Sequence, residues 1–488
     1  MQGRGPQAPR GVTSAQPHPN MTESERFDAI IIGSGQAGNP LAYALADAGR
    51  RVALIESRYL GGSCINYGCS PTKALLAAAH RAHAIRTAGA LGLRVPAPEV
   101  DMPAVIGRKN RLVELHREGI RKNLTLEHPG ITVLHGHAAF VGPRTLLLAP
   151  NREIEARRLT APLIFINTGT VAAWPDIEGI REVGALTNET LLDLPELPEH
   201  LIILGGSYIG VEFGQMYRRF GARVTIVDTE TRIMSREDED VQLELQRLLE
   251  AEGIEFVLGA RARRVSRGAD GTLTLTADTR QGERRLRGSH LLVAVGRQPN
   301  TESLGLDLAG IDTDEHGYIR ADDELRTGVR GVYALGDVKG GPQFTHISYD
   351  DYRIVRDRLL HGRRRRTTAR PLPYVVFTEP QLGRVGLSEK DAAAQGVTYR
   401  VGKLPVYHIG RARETEAPAG FLKVLVGEDD RLLGAAVLSE QGGEIMSMLQ
   451  IAMAGRLKYQ QLQNMVLAHP TWAEALNNVF AKLQKPKT

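Results

Sequence analysis

Cysteine is nearly absent from this chain, which has only Cys64 and Cys69 among its 488 residues. So low a cysteine content excludes a fold held together by several disulfides, and it leaves no further cysteine to complete the usual ligand set of a zinc site. No apolar run approaches the roughly 18 residues of a membrane span, and the first residues lack the apolar core of a signal peptide. We therefore predict no membrane partner and no resident metal.

A large excess of one charge is also missing, because 61 basic residues face 56 acidic residues for a formal net charge of +5. The densest basic cluster, four arginines at residues 363–366, is interpreted as a solvated loop, and we predict no nucleic-acid partner. The length suggests about three domains. Residues 1–26 start with a stretch rich in glycine, proline and glutamine, which predicts a disordered N-terminal extension with Met21 as an internal start.

The two cysteines lie five residues apart, which is an awkward spacing for a disulfide. In a regular helix five residues rise about 7.5 Å, beyond the ordinary Cα spacing of a disulfide. The pair can close only where the backbone departs from a helix, and Gly68 permits such a departure. A strained disulfide is easily reduced, which favours a working redox pair in the cytoplasm over a structural bond. Two unrelated buried thiols remain the alternative.

The residues after the second cysteine favour its ionised form. Pro71 and the apolar run after Lys73 predict that a helix begins here, with Cys69 near its positive end. A thiol at a helix N-terminus ionises more readily than a free thiol. The sequence therefore predicts that Cys69 favours the thiolate form.

A dinucleotide-binding fingerprint precedes the cysteines. A buried strand at residues 28–32 leads into Gly33, Gly35 and Gly38, a helix follows, and the next strand ends at Glu56. The first glycine allows a tight turn, the second lets the backbone approach a pyrophosphate, and the third allows close helix packing. The acid at the end of the second strand can accept a hydrogen bond from a ribose.

A second fingerprint follows in the middle of the chain. A strand precedes Gly205, Ser207 and Gly210, and the strand after the intervening helix ends at Asp228. Ser207 occupies the position of the second glycine, which implies a slightly more distant phosphate. Two fingerprints in one chain predict two bound dinucleotides.

These motifs closely resemble those of the class I pyridine nucleotide–disulfide oxidoreductases, which include dihydrolipoamide dehydrogenase, glutathione reductase and mercuric reductase. The resemblance extends from about residue 27 to the C-terminus. It implies an α/β fold with two Rossmann-like domains, the FAD-binding domain being discontinuous and the NAD(P)-binding domain inserted into it, and an α+β dimerisation domain. The implied bounds are 1–26 for the extension, 27–168 and 297–366 for the FAD-binding domain, 169–296 for the NAD(P)-binding domain and 370–488 for the dimerisation domain.

The resemblance also implies a role for each matching residue. It places Tyr208 as a lid over the nicotinamide pocket and Glu212 as the partner of Lys73 beside the flavin. One departure from the family pattern is Asn167, where alanine is usual. The implied FAD contacts are Gly33, Gly35, Gly38, Glu56, Ser63, Lys73, Ala138, Thr168, Gly169, Arg297 and Asp337. The implied NAD(P)H contacts are Gly205, Ser207, Tyr208, Gly210, Asp228 and Gly296, and Asp228 predicts a preference for NADH because it repels a 2′-phosphate.

The C-terminal region carries the family's His-Pro-x-x-x-Glu motif at His469 and Glu474. We expect Pro470 to hold the histidine extended and to start a helix over residues 472–483 that carries the glutamate. Glu474 would then orient the imidazole, so that His469 carries the proton of a departing thiol. In the family this pair reaches the disulfide of the other subunit, which predicts a homodimer.

Together these features predict an FAD-dependent NAD(P)H oxidoreductase. The resemblance implies that electrons pass from nicotinamide through flavin to the disulfide, with Cys69 on the flavin side and Cys64 meeting the substrate. Residues 340–353 and 474–480 resemble mercuric-reductase-like and reactive-chlorine-resistance flavoproteins. We therefore predict a small acceptor, such as Cu(II), Hg(II) or another oxidant. The alternatives are a dihydrolipoamide dehydrogenase and a flavoprotein scaffold with idle thiols.

Overall fold

The structure is a computed structural model that describes residues 24–150 and 156–485. Most of the predicted N-terminal extension, residues 1–23, lies outside the described residues. Residues 25 and 26, which the prediction assigned to the disordered extension, instead form the short strand Glu25–Arg26, which pairs in parallel with Arg157–Thr160.

The first sheet has eight strands and is built from two distant parts of the chain. Its central strands are short apolar runs without alternation, and Ala29–Ile32 is buried at every position. This pattern is expected of parallel strands covered on both faces. The chain leaves the sheet after Leu163–Ile166 and returns beside that strand with Val332–Ala334. In sheet order the strands are Glu25–Arg26, Arg157–Thr160, Thr145–Pro150, Ile131–Gly142, Val52–Glu56, Ala29–Ile32, Leu163–Ile166 and Val332–Ala334.

Helices flank this sheet and carry the cysteines. The helix Gly38–Asp47 packs against Thr345–His361 on one side, and the long helices Cys69–Thr87 and Met102–Lys122 pack against each other. The helical elements of this part of the chain are Gly38–Asp47, Gly62–Asn66, Cys69–Thr87, Ala88–Leu91, Met102–Lys122, Asn123–Glu127, Leu306–Ala309, Gly336–Lys339, Thr345–His361 and Thr367–Ala369.

The segment between the two parts of the first sheet forms its own parallel sheet. The strands follow the order Ile254–Val257, Arg223–Val227, His200–Leu204 and His290–Val293. The remaining strands of this segment are the antiparallel set Arg261–Arg267, Leu273–Thr279 and Gly282–Gly288 and the connecting pair Thr170–Ala172 and Arg297–Pro299. The helices are Asn188–Leu191, Tyr208–Phe220 and Glu239–Ala251.

The C-terminal part is an antiparallel five-stranded sheet with helices. Its strands follow the order Tyr374–Val376, Gln381–Gly386, Leu432–Ser439, Phe421–Gly427 and Tyr399–Pro405. Its helical elements are Glu389–Ala394, Val406–His408, Gly410–Glu414, Gly442–Ala454, Tyr459–Gln463, Trp472–Glu474 and Ala475–Asn478. Two doubly wound sheets, one inserted into the other, and an α+β unit make up the chain, so the predicted fold class is confirmed.

The prediction of one continuous helix over residues 472–483 is wrong. A single 3₁₀ turn, Trp472–Glu474, is followed by the short helix Ala475–Asn478. The chain then leaves the helix because the backbone of Gln484 exchanges two hydrogen bonds with Val401 of the sheet. These bonds to the sheet replace the backbone hydrogen bonds that a continued helix would have made.

The run of four arginines is exposed, as predicted, but it is not a free solvated loop. Arg365 lies 2.9 Å from Asp350 of the helix Thr345–His361, and Arg366 lies 3.5 Å from Asp323. The run therefore lies against acidic residues of the first sheet unit.

Among the described residues, no helix is long and apolar enough to cross a membrane.

Candidate active site

Cys64 and Cys69 lie on opposite sides of a break between two helices. Cys64 belongs to the helix Gly62–Asn66, and Cys69 is the first residue of Cys69–Thr87. Between the helices, Gly68 adopts φ −127° and ψ −118°, and a Cβ atom there would lie 2.9 Å from a backbone oxygen of the first helix. The predicted departure from helical geometry is confirmed, and both cysteines carry free thiols.

The two thiols differ in acidity. The hydrogen bond from Cys64 is the largest cause that lowers the pKa of Cys69 to about 6, and the Thr345 hydroxyl and the Lys73 charge lower it further against the effect of burial. The same hydrogen bond and burial raise the pKa of Cys64. Near neutral pH, Cys69 is therefore a thiolate and Cys64 remains a thiol that donates to it.

Lys73 lies one turn after Cys69 on the same helix and is held by a buried carboxylate. Its Nζ atom lies 2.9 Å from Oε2 of Glu212, and the Glu212 side chain is only 6% exposed. The other Glu212 oxygen accepts a hydrogen bond of 2.9 Å from the backbone N–H of Phe377, whose ring lies beneath the Lys73 ammonium. The structure therefore brings the predicted pair together and fixes a positive charge near the thiolate.

The first glycine turn leaves no space for side chains. Gly33 adopts φ +104°, and a Cβ atom there would lie 2.3 Å from the backbone oxygen of Asn167. A Cβ atom on Gly38 would lie 2.3 Å from the backbone oxygen of Gly33. The turn and the close helix packing predicted for these glycines are both present.

Glu56 is fixed at the carboxyl end of its strand beside this turn. Its Oε2 atom accepts a hydrogen bond of 2.9 Å from the backbone N–H of Ser34, and its Oε1 atom accepts one of 2.8 Å from Arg58. A carboxylate can accept about four hydrogen bonds, so acceptor capacity is left for a ribose hydroxyl. This geometry fits the adenosine end of a dinucleotide.

Asp337 lies beside Thr170, whose hydroxyl donates a hydrogen bond of 3.3 Å to its Oδ2 atom. Burial raises the pKa of Asp337, while the nearby Arg297 guanidinium and Thr170 hydroxyl oppose the rise. Arg297 donates two hydrogen bonds of 2.7 Å to Thr170, which orders this side of the cleft. Thr168 donates to the backbone oxygen of Asn300 at 2.9 Å, next to Gly169 in the left-handed region at φ +68°.

Asn167 has a role that the sequence reading missed. Its Oδ1 atom accepts a hydrogen bond of 2.9 Å from the backbone N–H of Gly38, and its Nδ2 atom donates to the backbone oxygen of Leu335 at 3.0 Å. A Cβ atom on Gly35 would lie 2.7 Å from that Oδ1 atom. Asn167 thus ties the glycine turn to the returning strand, and its departure from the usual alanine was the available signal.

The second glycine turn repeats the geometry of the first. Gly205 adopts φ +106°, and a Cβ atom on Gly210 would lie 1.9 Å from the backbone oxygen of Gly205. Asp228 accepts a hydrogen bond from the backbone N–H of Gly206, as Glu56 does in the first turn. Ser207 precedes the helix Tyr208–Phe220 without capping it through its side chain. The turn therefore presents backbone N–H groups at a helix N-terminus, which suits a pyrophosphate.

A cleft of about 1360 Å³ joins most of the predicted residues. Its walls are mixed polar and apolar, and its volume exceeds that of an ordinary small-ligand pocket. Predicted residues that line it are Gly33, Gly35, Glu56, Ser63, Cys64, Cys69, Lys73, Ala138, Thr168, Gly169, Tyr208, Glu212, Arg297 and Asp337. The predicted residues Gly38, Gly205, Ser207, Gly210, Asp228 and Gly296 lie outside this lining.

Thr345 is the second residue that the sequence reading missed. Its Oγ1 atom lies 3.2 Å from the sulfur of Cys69, although the two residues are 276 positions apart. Thr345 is the first residue of the helix Thr345–His361, so the N-terminal residue of a second helix lies beside the thiolate. No local pattern could have indicated this contact.

His469 and Glu474 form a pair, but on a different surface. Nδ1 of His469 lies 3.0 Å from Oε1 of Glu474, whose Oε2 atom accepts a hydrogen bond of 2.9 Å from the backbone N–H of Thr471. This backbone hydrogen bond and His469 lower the pKa of Glu474. The His469 side chain is 75% exposed, and neither residue is among the described residues that line the cleft of the same chain.

One acidic cluster outside the cleft has the geometry of a cation site. The carboxylates of Asp238, Asp240 and Glu389 lie close enough to hold one ion. The Nζ atom of Lys423 already lies 2.8, 2.6 and 2.8 Å from their oxygens, and its side chain is 1% exposed. The cation in this cluster is therefore the lysine, and we propose no metal here.

Two family models match this chain. The model described as pyridine nucleotide-disulphide oxidoreductase matches residues 27–351, and the model of the dimerisation domain of these enzymes matches residues 372–480. The first match contains both glycine turns and both cysteines, and the second contains His469 and Glu474.

Similar proteins agree with this assignment. The probable pyridine nucleotide-disulfide oxidoreductase RclA of Escherichia coli is 38% identical over 464 residues, which are 93% of this chain and 99% of that protein. A mercuric reductase of Streptomyces lividans is 35% identical over 453 residues, which are 92% of this chain and 94% of that protein. A solved structure described as a Cu(II) complex of the HOCl-induced flavoprotein disulfide reductase RclA superposes with a TM-score of 0.85, at 38% identity and covering 94% of this chain and 99% of that one.

The predicted cofactors follow from the family and fit the site. Enzymes of this family use FAD and NAD(P)H, and the glycine turn, Glu56 and Asp337 form a cleft with the polar groups that FAD requires. The chain belongs to the pyridine nucleotide-disulfide oxidoreductase family.

Proposed function

We propose that this protein is an NAD(P)H-dependent flavoprotein reductase that passes electrons through Cys64 and Cys69 to a small thiophilic metal ion or oxidant. The observation that carries the proposal is the geometry of the pair, in which two free thiols lie across the helix break at Gly68, with Thr345 3.2 Å from Cys69. This arrangement lowers the pKa of Cys69 and raises the pKa of Cys64. Idle structural thiols would not require the helix break at Gly68, the lysine charge or the Thr345 contact beside them.

Bound FAD would supply two-electron transfer between NAD(P)H and the cysteine pair. We infer that Gly33, Gly35, Glu56 and Asp337 hold it, with Ala138, Thr168, Gly169 and Arg297 along its length. Lys73, fixed by Glu212, keeps a positive charge at the face of the cleft where negative charge accumulates on reduction. Thr345 would hold the sulfur of Cys69 in position by donating one hydrogen bond to it.

The acceptor would meet Cys64. Two electrons and one proton would convert the disulfide to the Cys64 thiol and the Cys69 thiolate. Reoxidation would pass two electrons to one Hg(II) ion or to two Cu(II) ions, re-form the disulfide and release that proton. Both cysteines of the chain lie in this site, so a metal ion must reach Cys64 without a handover from another thiol. The similarity to a mercuric reductase and to a flavoprotein solved with Cu(II) supports this class of acceptor.

We propose that the active form is a cytoplasmic homodimer. The chain carries the dimerisation domain of its family, and the His469–Glu474 pair is not part of the cleft lining of its own chain, with the His469 side chain exposed. His469 of the partner subunit would receive the proton that a departing thiol leaves behind. We further propose that NADH is preferred, because Asp228 would accept from the ribose 2′-OH.

Steady-state NADH oxidation with Cu(II), Hg(II), quinones, small disulfides and the dihydrolipoamide couple tests the proposal. We expect turnover with at least one thiophilic metal ion, and its loss in Cys64→Ser. A Glu99→Ala variant, altered at an exposed acid that does not line the cleft, serves as the control. Rapid turnover of dihydrolipoamide, with metal ions acting only as inhibitors, would favour a dihydrolipoamide dehydrogenase. A flavin that NADH fails to bleach would favour the scaffold alternative.

A further inference from the structure

Tyr374, which has no part in the chemistry proposed above, joins three regions of the chain at the edge of the cleft. Its hydroxyl donates a hydrogen bond to Oε1 of Glu237. Its ring stacks on Phe344, with centroids 5.5 Å apart and planes only 6° apart. Phe344 in turn contacts the ring of Tyr208 at 5.9 Å. Tyr374, Phe344 and Tyr208 all line the cleft.

Glu237 is a firm anchor for this contact. Its side chain is fully buried, and its backbone N–H donates to the backbone oxygen of Met234 at 2.8 Å. The N–H of Met234 donates to the backbone oxygen of Gly206 at 2.9 Å. The turn that holds Glu237 is therefore hydrogen-bonded to the second glycine turn, at the residue two positions before Tyr208.

The electrostatics of the contact favour one arrangement of its proton. Burial, and secondarily the Glu237 carboxylate, raise the pKa of Tyr374, so the phenol stays protonated and donates. Oε2 of Glu237 lies 3.8 Å from the buried guanidinium of Arg384. The Tyr374 hydroxyl is therefore a closer partner of the Glu237 side chain than Arg384 is. Burial also raises the pKa of Glu237, while the Arg384 charge and the hydrogen bond from Tyr374 oppose that rise.

We propose that Tyr374, held by Glu237, is a positioning residue for the nicotinamide end of the coenzyme. It fixes the ring of Phe344, and Phe344 limits the positions open to Tyr208, the lid residue. A lid that is already ordered loses less conformational entropy when the coenzyme binds, so the ordered stack strengthens binding. This inference rests on the proposed function, because it concerns the NAD(P)H site of that reaction.

Tyr374→Phe is the decisive variant, because it keeps the ring and removes the hydroxyl. We expect the apparent Kd for NADH, from anaerobic stopped-flow reduction of the flavin, to rise about fivefold, while the rate at saturation changes little. NAD⁺ should bind more weakly by a similar factor in titration calorimetry. ADP-ribose, which lacks the nicotinamide, should bind as it does to the unaltered protein, because the backbone bonds between the turn and Gly206 are kept.

Tyr399→Phe is the matched control. Tyr399 also donates to a carboxylate, Glu389 at 3.1 Å, but it does not line the cleft. The Tyr399→Phe variant should bind NAD⁺ and ADP-ribose as the unaltered protein does. Phe344→Leu removes the ring stack while keeping bulk, and it should weaken NAD⁺ binding by a similar factor. This second variant tests the inference even if Tyr374→Phe folds poorly.

An unchanged or tighter Kd for NADH in both Tyr374→Phe and Phe344→Leu would overturn the inference. So would an equal loss of NAD⁺ and ADP-ribose binding, which would indicate a general structural role. These outcomes are separable from failure of the proposed function, because in that case NADH would already fail to reduce the flavin of the unaltered protein.

Discussion

The hydroxyl oxygen of Thr345 lies 3.2 Å from the sulfur of Cys69, at the start of a helix that belongs to a distant part of the chain. The contact places a hydrogen-bond donor and a helix N-terminus against the thiol, while Cys64 donates from the other side. The thiolate is thus stabilised by groups from two separate segments, which keeps the sulfur in one position as its charge changes.

Replacing Thr345 by valine should raise the pKa of Cys69 from about 6 toward the ordinary cysteine value of about 8.5, because the hydroxyl is lost without a change in shape. The thiolate exists above this pKa and is lost as the pH falls through it. The long-wavelength charge-transfer band of the reduced enzyme should therefore disappear at a higher pH in the variant. Thr345→Ser, which keeps the hydroxyl, should titrate like the unaltered protein, and identical titrations for valine and serine would contradict the assigned role.

Asp228 should control the choice of coenzyme. Its oxygens accept from the backbone N–H groups of Gly206 and Glu230, and the nearby Arg232 is paired with Glu239 at 2.6 Å. Because that arginine already has a carboxylate partner, we expect a higher kcat/KM for NADH than for NADPH.

Asp228→Asn should narrow this preference by about tenfold, since it removes the charge that repels a 2′-phosphate but keeps an acceptor for Gly206. The ratio of kcat/KM values for the two coenzymes is the measurement. A preference for NADPH in the unaltered protein would show that Asp228 does not have this role.

Complementation between inactive variants should reveal a shared site. Cys64→Ser and His469→Ala chains are each expected to be inactive as homodimers. Random mixing should return about a quarter of the original activity, because half of the dimers are mixed and one of their two sites is intact. Mass spectrometry of differently tagged chains would verify the mixed dimers, and their inactivity would mean that each chain uses its own histidine.

Lys423 should be important for stability and unimportant for chemistry. Its Nζ atom is buried among Asp238, Asp240 and Glu389, so Lys423→Met removes the one cation that pairs with all three carboxylates. We expect a loss of about 3 kcal/mol in the free energy of unfolding.

Lys403→Met is the matched control for this change. Lys403 also pairs with Asp240, but its side chain is 41% exposed, so its loss should cost less than about 1 kcal/mol. Denaturant unfolding of the two variants gives the comparison. Equal stability losses would indicate that burial of the Lys423 cluster contributes little.

Both nucleotide-binding turns were predictable from local sequence. Gly33 and Gly205 adopt positive φ angles that side chains avoid, and the strand before each turn and the acid after it are local features as well. The break at Gly68 was predicted by the same kind of reasoning. Two cysteines five residues apart cannot form a disulfide within a continuous helix, so a working pair requires a break between them. These features depend on residues within about one supersecondary unit, which is the range over which sequence patterns carry information.

The contacts that tune the site depend on tertiary structure. Thr345 reaches Cys69, and Glu237 reaches Tyr374, because separate sheets and helices pack together, and no short pattern records which side chains then meet. The C-terminal helix predicted over residues 472–483 ended early for the same reason. Pairing between Gln484 and Val401 satisfies backbone groups that local propensity had assigned to a helix, and tertiary hydrogen bonds of this kind outweigh the small differences in helix propensity.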